Sequence, residues 1–89
     1  MLTVKYTRLF KKNYSKLAKA GRDLTNLGII IEKLSNELLL DRIFNDHQLK
    51  GNYKDCRECH LAPDLLLIYR IENNLLVLVN IGSHSELFE

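Results

Sequence analysis

The sequence predicts a small α+β domain with the element order β-α-α-β-β-β. Before residue 39 the apolar residues recur at three- and four-residue spacing, the period of a helix. After Gly51 they fall instead into short runs rich in Leu, Ile and Val. Turn chemistry at Ala62-Pro63-Asp64 and Asn73-Asn74 divides those runs into three strands.

Leu2–Tyr6 reads as a short strand. Thr7 is placed to cap a helix that runs to Ala20, with Gly21 as its stop. Phe10, Tyr14, Leu17 and Ala18 form its apolar stripe, and the lysines fall largely between them. Asp23 is placed to cap a second helix over Leu24–Leu38, with Leu27, Ile30, Ile31, Leu34 and Leu38 as its buried face. The connection is so short that the two helices should form an antiparallel hairpin. Residues 39–50 read as irregular. Tyr53–His60, Asp64–Glu72 and Leu75–Gly82 follow as strands. The last is apolar on both faces, which predicts an interior strand. The hairpin is expected on one face of a small, mostly antiparallel sheet.

Eighty-nine residues are enough for a single domain with one modest core, here residues 1–89. The charge is unevenly spread. Residues 1–22 hold seven Lys or Arg and no Asp or Glu, and the remainder carries a net −5. Such a block is either a solvated helix face or a surface for a polyanion such as RNA. No apolar stretch is long enough to span a membrane, and Met1–Lys5 does not resemble the start of a signal peptide. The expected location is cytoplasmic.

Cys56-Arg57-Glu58-Cys59-His60 spells C-x-x-C-H, a string used for haem attachment, redox pairs and zinc. Context argues against each. The only methionine is Met1, there is no second ligand pair, and positions three apart in a strand point to opposite faces. The cysteines read as small, reduced, partly buried residues, with no metal or cofactor expected.

The three histidines, His47, His60 and His84, each fall near the end of an element, and Asp64 lies across a turn from His60. Histidine gives or takes a proton near neutral pH. Several histidines without a Ser-His-Asp set or a phosphate-binding loop suggest phosphodiester cleavage in RNA. There the 2′-OH is the nucleophile, and the protein supplies a base, an acid and positive charge. The tail "NIGSHSELFE" fits this reading if its apolar Leu87-Phe88 pair pins the segment that presents His84.

The segments "DHQLKGNYKDCRECHLAPDLLLIYRI" and "GSHSELF" resemble the YafQ branch of the RelE superfamily, toxins of bacterial type II toxin–antitoxin systems. The resemblance extends over nearly the whole chain in length and element order. It implies a RelE-like fold and a ribosome-dependent mRNA endonuclease that needs no metal or cofactor. The implied partners are mRNA, the ribosome and a cognate antitoxin of the DinJ/RelB kind, with DNA reached only through the antitoxin. It also maps active-site positions onto His47, His60, Asp64, His84 and Phe88. Of these, His84 is the first choice for proton transfer. His60 and His47 would act as base or phosphate contacts, Asp64 would orient a histidine or keep it charged, and Phe88 would stack on a base or anchor the tail.

Two positions depart from the family pattern. Leu65 stands where a tryptophan is common, and Asn80 where an arginine is. Asn80 can donate a hydrogen bond to the substrate but carries no charge, so Lys50, Arg57 and Arg70 are the candidates to supply it. A rival reading keeps the fold without the chemistry, as a gyrase-binding ParE-like toxin or a degenerate toxin. The histidine set favours the nuclease, and Asn80 keeps the rival open.

Overall fold

The computed structural model describes residues 1–88. Its main elements are β1 (Thr3–Tyr6), α1 (Arg8–Lys19), α2 (Thr25–Ser35), β2 (His47–Gln48), β3 (Arg57–Ala62), β4 (Leu65–Glu72), β5 (Leu75–Gly82) and α3 (His84–Phe88). The five strands form one sheet in the order β1-β5-β4-β3-β2. Only the β1–β5 pair is parallel. The apolar strand β5 lies inside the sheet, as its two-sided pattern predicts.

Thr7 caps α1 through its side-chain oxygen, which accepts from the Phe10 N–H at 3.0 Å. The helix ends in a Schellman motif. Gly21 adopts φ +76°, and the Arg22 N–H reaches back to the Leu17 carbonyl. Helix α2 is shorter than predicted at both ends. Asp23 binds the Thr25 N–H and hydroxyl, so helical geometry starts one residue later than expected. At the other end Glu37 takes a left-handed φ of 58°, and the Leu38 N–H returns to Lys33 O. Leu38 is therefore outside both the helix and the core, at 57% exposure.

Two further differences lie between residues 39 and 60. The irregular connection contains a 3₁₀ turn, Arg42–Phe44, and the short strand β2. The strand predicted over Tyr53–His60 starts late because Gly51–Tyr53 is itself a 3₁₀ turn, and strand pairing begins at Arg57. The tail, for which the sequence predicts no regular element, forms the short helix α3 after β5.

The sheet has two packed faces. One receives Phe10 and Leu17 of α1 and Leu27, Ile30 and Leu34 of α2, against Leu65, Leu67, Tyr69, Leu76 and Leu78. The other carries a smaller cluster of Cys56, Leu66, Ile68 and Leu87, joined by Leu49, Tyr53 and Val79. Cys56 and Cys59 belong to opposite faces, as their spacing predicts, and both are free thiols. The register shifts at Val79, where β5 inserts one extra residue opposite the Ile68–Tyr69 step. This bulge reverses the phase of β5, so Asn80 pairs with Ile68 and shares the second face.

Candidate active site

Strand pairing assembles a row of side chains across the second face. His47 on β2 stands opposite Glu58 on β3, Glu58 opposite Ile68 on β4, and Ile68 opposite Asn80 on β5. The next row is His60, Leu66 and Gly82. Directly opposed residues lie on one face of a sheet, so both strand histidines share the face of the smaller cluster.

The segment before β2 is fixed from the other side. Asp46 accepts from the Tyr69 hydroxyl at 2.7 Å and from Arg57 Nε at 3.1 Å. Burial pushes the Tyr69 phenol above its ordinary range, and the bond to Asp46 adds to the shift. This anchor holds Asn45 in a left-handed conformation at φ 46°. The Asn45 carbonyl then accepts from His47 Nδ1 at 2.8 Å, which fixes the ring.

Both strand histidines meet one buried carboxylate. Glu58 is only 5% exposed, and its Oε1 lies 3.2 Å from His60 Nε2 and 3.6 Å from His47 Nε2. The side-chain amide of Asn45 approaches His60 Nε2 at 3.4 Å. Both rings thus lie within ion-pair reach of the same carboxylate oxygen.

The third histidine arrives on α3. Ser83 Oγ accepts from the Glu86 N–H at 3.2 Å, and Glu86 Oε1 accepts from the Ser83 N–H at 2.7 Å. This is a capping box. The same bonds lower the Glu86 carboxyl below its usual range. Gly82 lets the chain fold back at this point. A Cβ there would stand 3.1 Å from Glu86 Oε1 and 3.5 Å from Leu87 Cδ2. Leu87 is buried in the smaller cluster. Asp64, in the turn after β3, accepts from the His84 backbone N–H at 3.2 Å. Asp64 thus holds the backbone of His84 rather than an imidazole. The exposed His84 ring packs on Phe88 with centroids 5.1 Å apart, and Phe88 meets Tyr53 edge-on at 5.8 Å.

The remaining predicted residues divide by face. Arg70 follows Leu66 and Ile68 at two-residue intervals and so lies on the histidine face, bonded to Glu72 at 3.0 Å. Lys50 is exposed just beyond β2. Arg57 pairs with Tyr69 on the helix-covered face and is engaged by Asp46, so the fold does not bring it to the histidines. Asn80 is 5% exposed, and its Oδ1 accepts from Asn13 Nδ2 at 2.7 Å and from the Ile81 N–H at 2.8 Å. Leu65, in place of a tryptophan, is fully buried in the main core.

Sequence reasoning missed Glu58 and the capping box. Both had a signal. Glu58 and His60 are two apart in a strand and so share a face, and Ser83-x-x-Glu86 is the capping-box pattern itself.

A family model described as "Bacterial toxin of type II toxin-antitoxin system, YafQ" matches residues 2–89. The chain belongs to the YafQ toxin family. It is 31% identical over 86 residues to the mRNA interferase toxin YafQ of Escherichia coli K12, covering 96% of this chain and 94% of the relative. A crystal structure of a metal-bound toxin from Helicobacter pylori superposes with a TM-score of 0.92 at 49% identity, covering 99% of this chain and 100% of that one. YafQ in the E. coli DinJ–YafQ complex gives a TM-score of 0.90 at 30% identity, with 100% of both chains covered. The α+β RelE-like architecture is therefore shared with solved YafQ-family toxins.

The H. pylori relative raises the question of a metal in this family member. Among the described residues, no group of three or more His, Cys, Asp or Glu side chains is gathered as a metal cage. His47, Glu58 and His60 are paired with one another, and His47 Nδ1 is turned to a carbonyl oxygen.

Proposed function

We propose that this YafQ-family toxin is an mRNA interferase that cuts mRNA on the ribosome by attack of a 2′-OH on the adjacent phosphorus. The observation that carries the reading is the convergence of His47 and His60, with Glu58 between them, on the same sheet face that α3 borders with His84. The new bond forms between the 2′-oxygen and phosphorus, and the bond to the 5′-oxygen breaks. One proton leaves the 2′-OH and one joins the 5′-oxygen, giving a cyclic phosphate and a 5′-OH end.

Among the described residues no hydrogen bond engages the His84 ring nitrogens, so that ring is available for proton transfer. His47 and His60 act as base or phosphate contacts, and Arg70 and Lys50 on or beside that face supply positive charge. Phe88 supplies an aromatic surface next to His84 for a base. The basic α1, with Arg8, Lys11, Lys12, Lys16 and Lys19, suits ribosomal RNA. The E. coli relative is named an mRNA interferase and is solved with the antitoxin DinJ. By analogy, a DinJ/RelB-like antitoxin neutralises this chain, and DNA contact goes through that partner. No described helix is long and apolar enough to cross a membrane. A protein that acts on ribosomes works in the cytoplasm.

A binding-only toxin has no need of a carboxylate-bridged histidine pair. The test is primer extension on mRNA-programmed ribosomes with wild type and His84→Ala. Ribosome-dependent cuts that fall roughly 10²–10⁴-fold in the variant are expected. Absence of cuts from folded wild-type protein would move the reading to a toxin that acts by binding alone.

A further inference from the structure

We propose that the cleft between the start of α2, the Arg42–Phe44 turn and the end of β3 is a nucleobase subsite. It takes the base of a nucleotide beside the cleaved bond and favours guanine over uracil. This rests on the ribonuclease reading above and deepens it by naming what the site selects.

The cleft has a volume of about 480 Å³, within the range of small-molecule sites. His60 forms one wall, so the cleft opens directly off the histidine face. A nucleotide whose phosphate lies at His60 has its base next to this opening. Pro63 and Ile43 line other walls, and Ile43 is 82% exposed. A large aliphatic side chain left in water at such a rim gains by covering a flat ring.

The polar groups of the cleft are mostly acceptors, and they are held in place. Thr25 donates to Asp23 through its hydroxyl at 2.6 Å and its N–H at 3.0 Å, both to Oδ1. These bonds hold the Asp23 carboxyl below its usual range. Among the described residues they leave Oδ2 without a partner. Asn26 Nδ2 donates to the Leu61 carbonyl at 3.0 Å, which ties α2 to β3 and leaves Oδ1 as the free end of the amide. The side-chain donor is Asn45 Nδ2, 3.4 Å from His60 Nε2.

These groups decide what enters. The Asp23 charge repels phosphate, so the cleft suits a base and not the RNA backbone. Guanine offers N1–H and the N2 amine side by side, two donors for the carboxylate, and O6 and N7 as acceptors for Asn45. Adenine and cytosine offer a single amine each. Uracil offers one N–H between two carbonyl oxygens, and those oxygens would face Asp23 and Asn26 unpaired. The expected order is guanine, then adenine and cytosine, then uracil.

The test varies the bases on either side of the cleaved bond in mRNA on programmed ribosomes. Wild type should favour guanine over uracil at one of these positions. Asp23→Asn still caps α2 but replaces one acceptor by a donor, and should shrink the guanine-to-uracil ratio of kcat/KM roughly tenfold. The ratio is the readout because losing a negative charge favours every RNA alike. Ile43→Ala, at an exposed position, should raise KM for all bases. An unchanged ratio in Asp23→Asn, or wild type indifferent to guanine and uracil, overturns the proposal. Methyl and side-chain amide spectra with guanosine or uridine 3′-monophosphate need no ribosome. The guanosine nucleotide should shift the Ile43 methyls and the Asn26 amide more than the uridine one. Equal or absent shifts overturn the subsite even if the protein cuts. Protein that shows the shifts but never cuts overturns the ribonuclease reading instead.

Discussion

The carboxylate of Asp64, in the β3–β4 turn, accepts a hydrogen bond from the backbone N–H of His84 at 3.2 Å. This bond ties α3 to the turn four residues beyond His60. The turn and the tail are distant in sequence, and Asp64 makes them one unit. Asp64→Ala should therefore lower the cleavage rate about tenfold, because a small displacement of a proton-transfer group is costly. The bond is solvent-exposed, so thermal stability should fall by no more than ~1 kcal/mol. Asp64→Asn keeps an oxygen acceptor and should retain most activity. Single-turnover cleavage and thermal melts of both variants make the check. An asparagine variant as poor as alanine would point to the charge of Asp64 rather than its bond.

The capping box makes α3 sensitive to acid. Glu86 has a folded-state pKa below its unfolded value because Ser83 donates to its carboxylate. Its contribution is thus complete above the unfolded value and is lost as pH falls through the lower, folded one. The tail helix should loosen below about pH 4.3, the ordinary glutamate range. Glu86→Gln should remove that pH dependence, because glutamine can still close the box but does not titrate. Amide hydrogen exchange of Glu86 and Leu87 at neutral and acid pH reads the effect. Equal protection at both pH values in wild type would show that Leu87 packing alone holds the tail.

Both cysteines should be chemically silent in the folded protein. Burial raises the Cys59 thiol to about 12 and shifts Cys56 upward as well. Their attachment to opposite sheet faces prevents a disulfide between them. A thiol reagent at about pH 8 should label neither until denaturant is added. Rapid labelling of native protein at Cys56 would mean that α3 opens often, since Leu87 packs in the same small cluster.

The ends of the two helices show how much of this fold was legible. Gly21 marks the Schellman end of α1 because glycine is the usual residue for a left-handed C-terminus. Helix α2 ends in the same way at Glu37, a residue type that carries no such signal, so sequence reading ran three residues too far. The apolar periods correctly set the sheet, its interior strand and the helix-covered face. The histidines were legible as a set, but their carboxylate was not. Glu58 was hidden inside a C-x-x-C-H string that drew attention to its cysteines. The charge of Arg57 suggests a phosphate contact, and only the register shows which way it faces. The Val79 bulge is the least legible element. It follows from an extra residue in a pairing that sequence does not display, and it decides which face Asn80 joins.

Asn80 carries the last prediction. Asn80→Arg restores the residue of the family pattern and with it positive charge near the phosphate, which should raise the cleavage rate. The bulge does place position 80 on the histidine face, in the same row as Glu58 and His47. The native amide, however, is tied down by Asn13 and the Ile81 N–H. Arginine loses both bonds, and Asn13 is left seeking an acceptor at a half-buried site. Each lost bond costs about 1 kcal/mol. The expected outcome is therefore split, with a lower melting temperature but faster cleavage per folded molecule. Pairing the change with Asn13→Ala removes the stranded donor and should recover part of the stability without changing the rate. Single-turnover kinetics corrected for folded fraction separate the two effects. An unchanged rate would mean that Arg70 and Lys50 already provide the charge that the reaction needs.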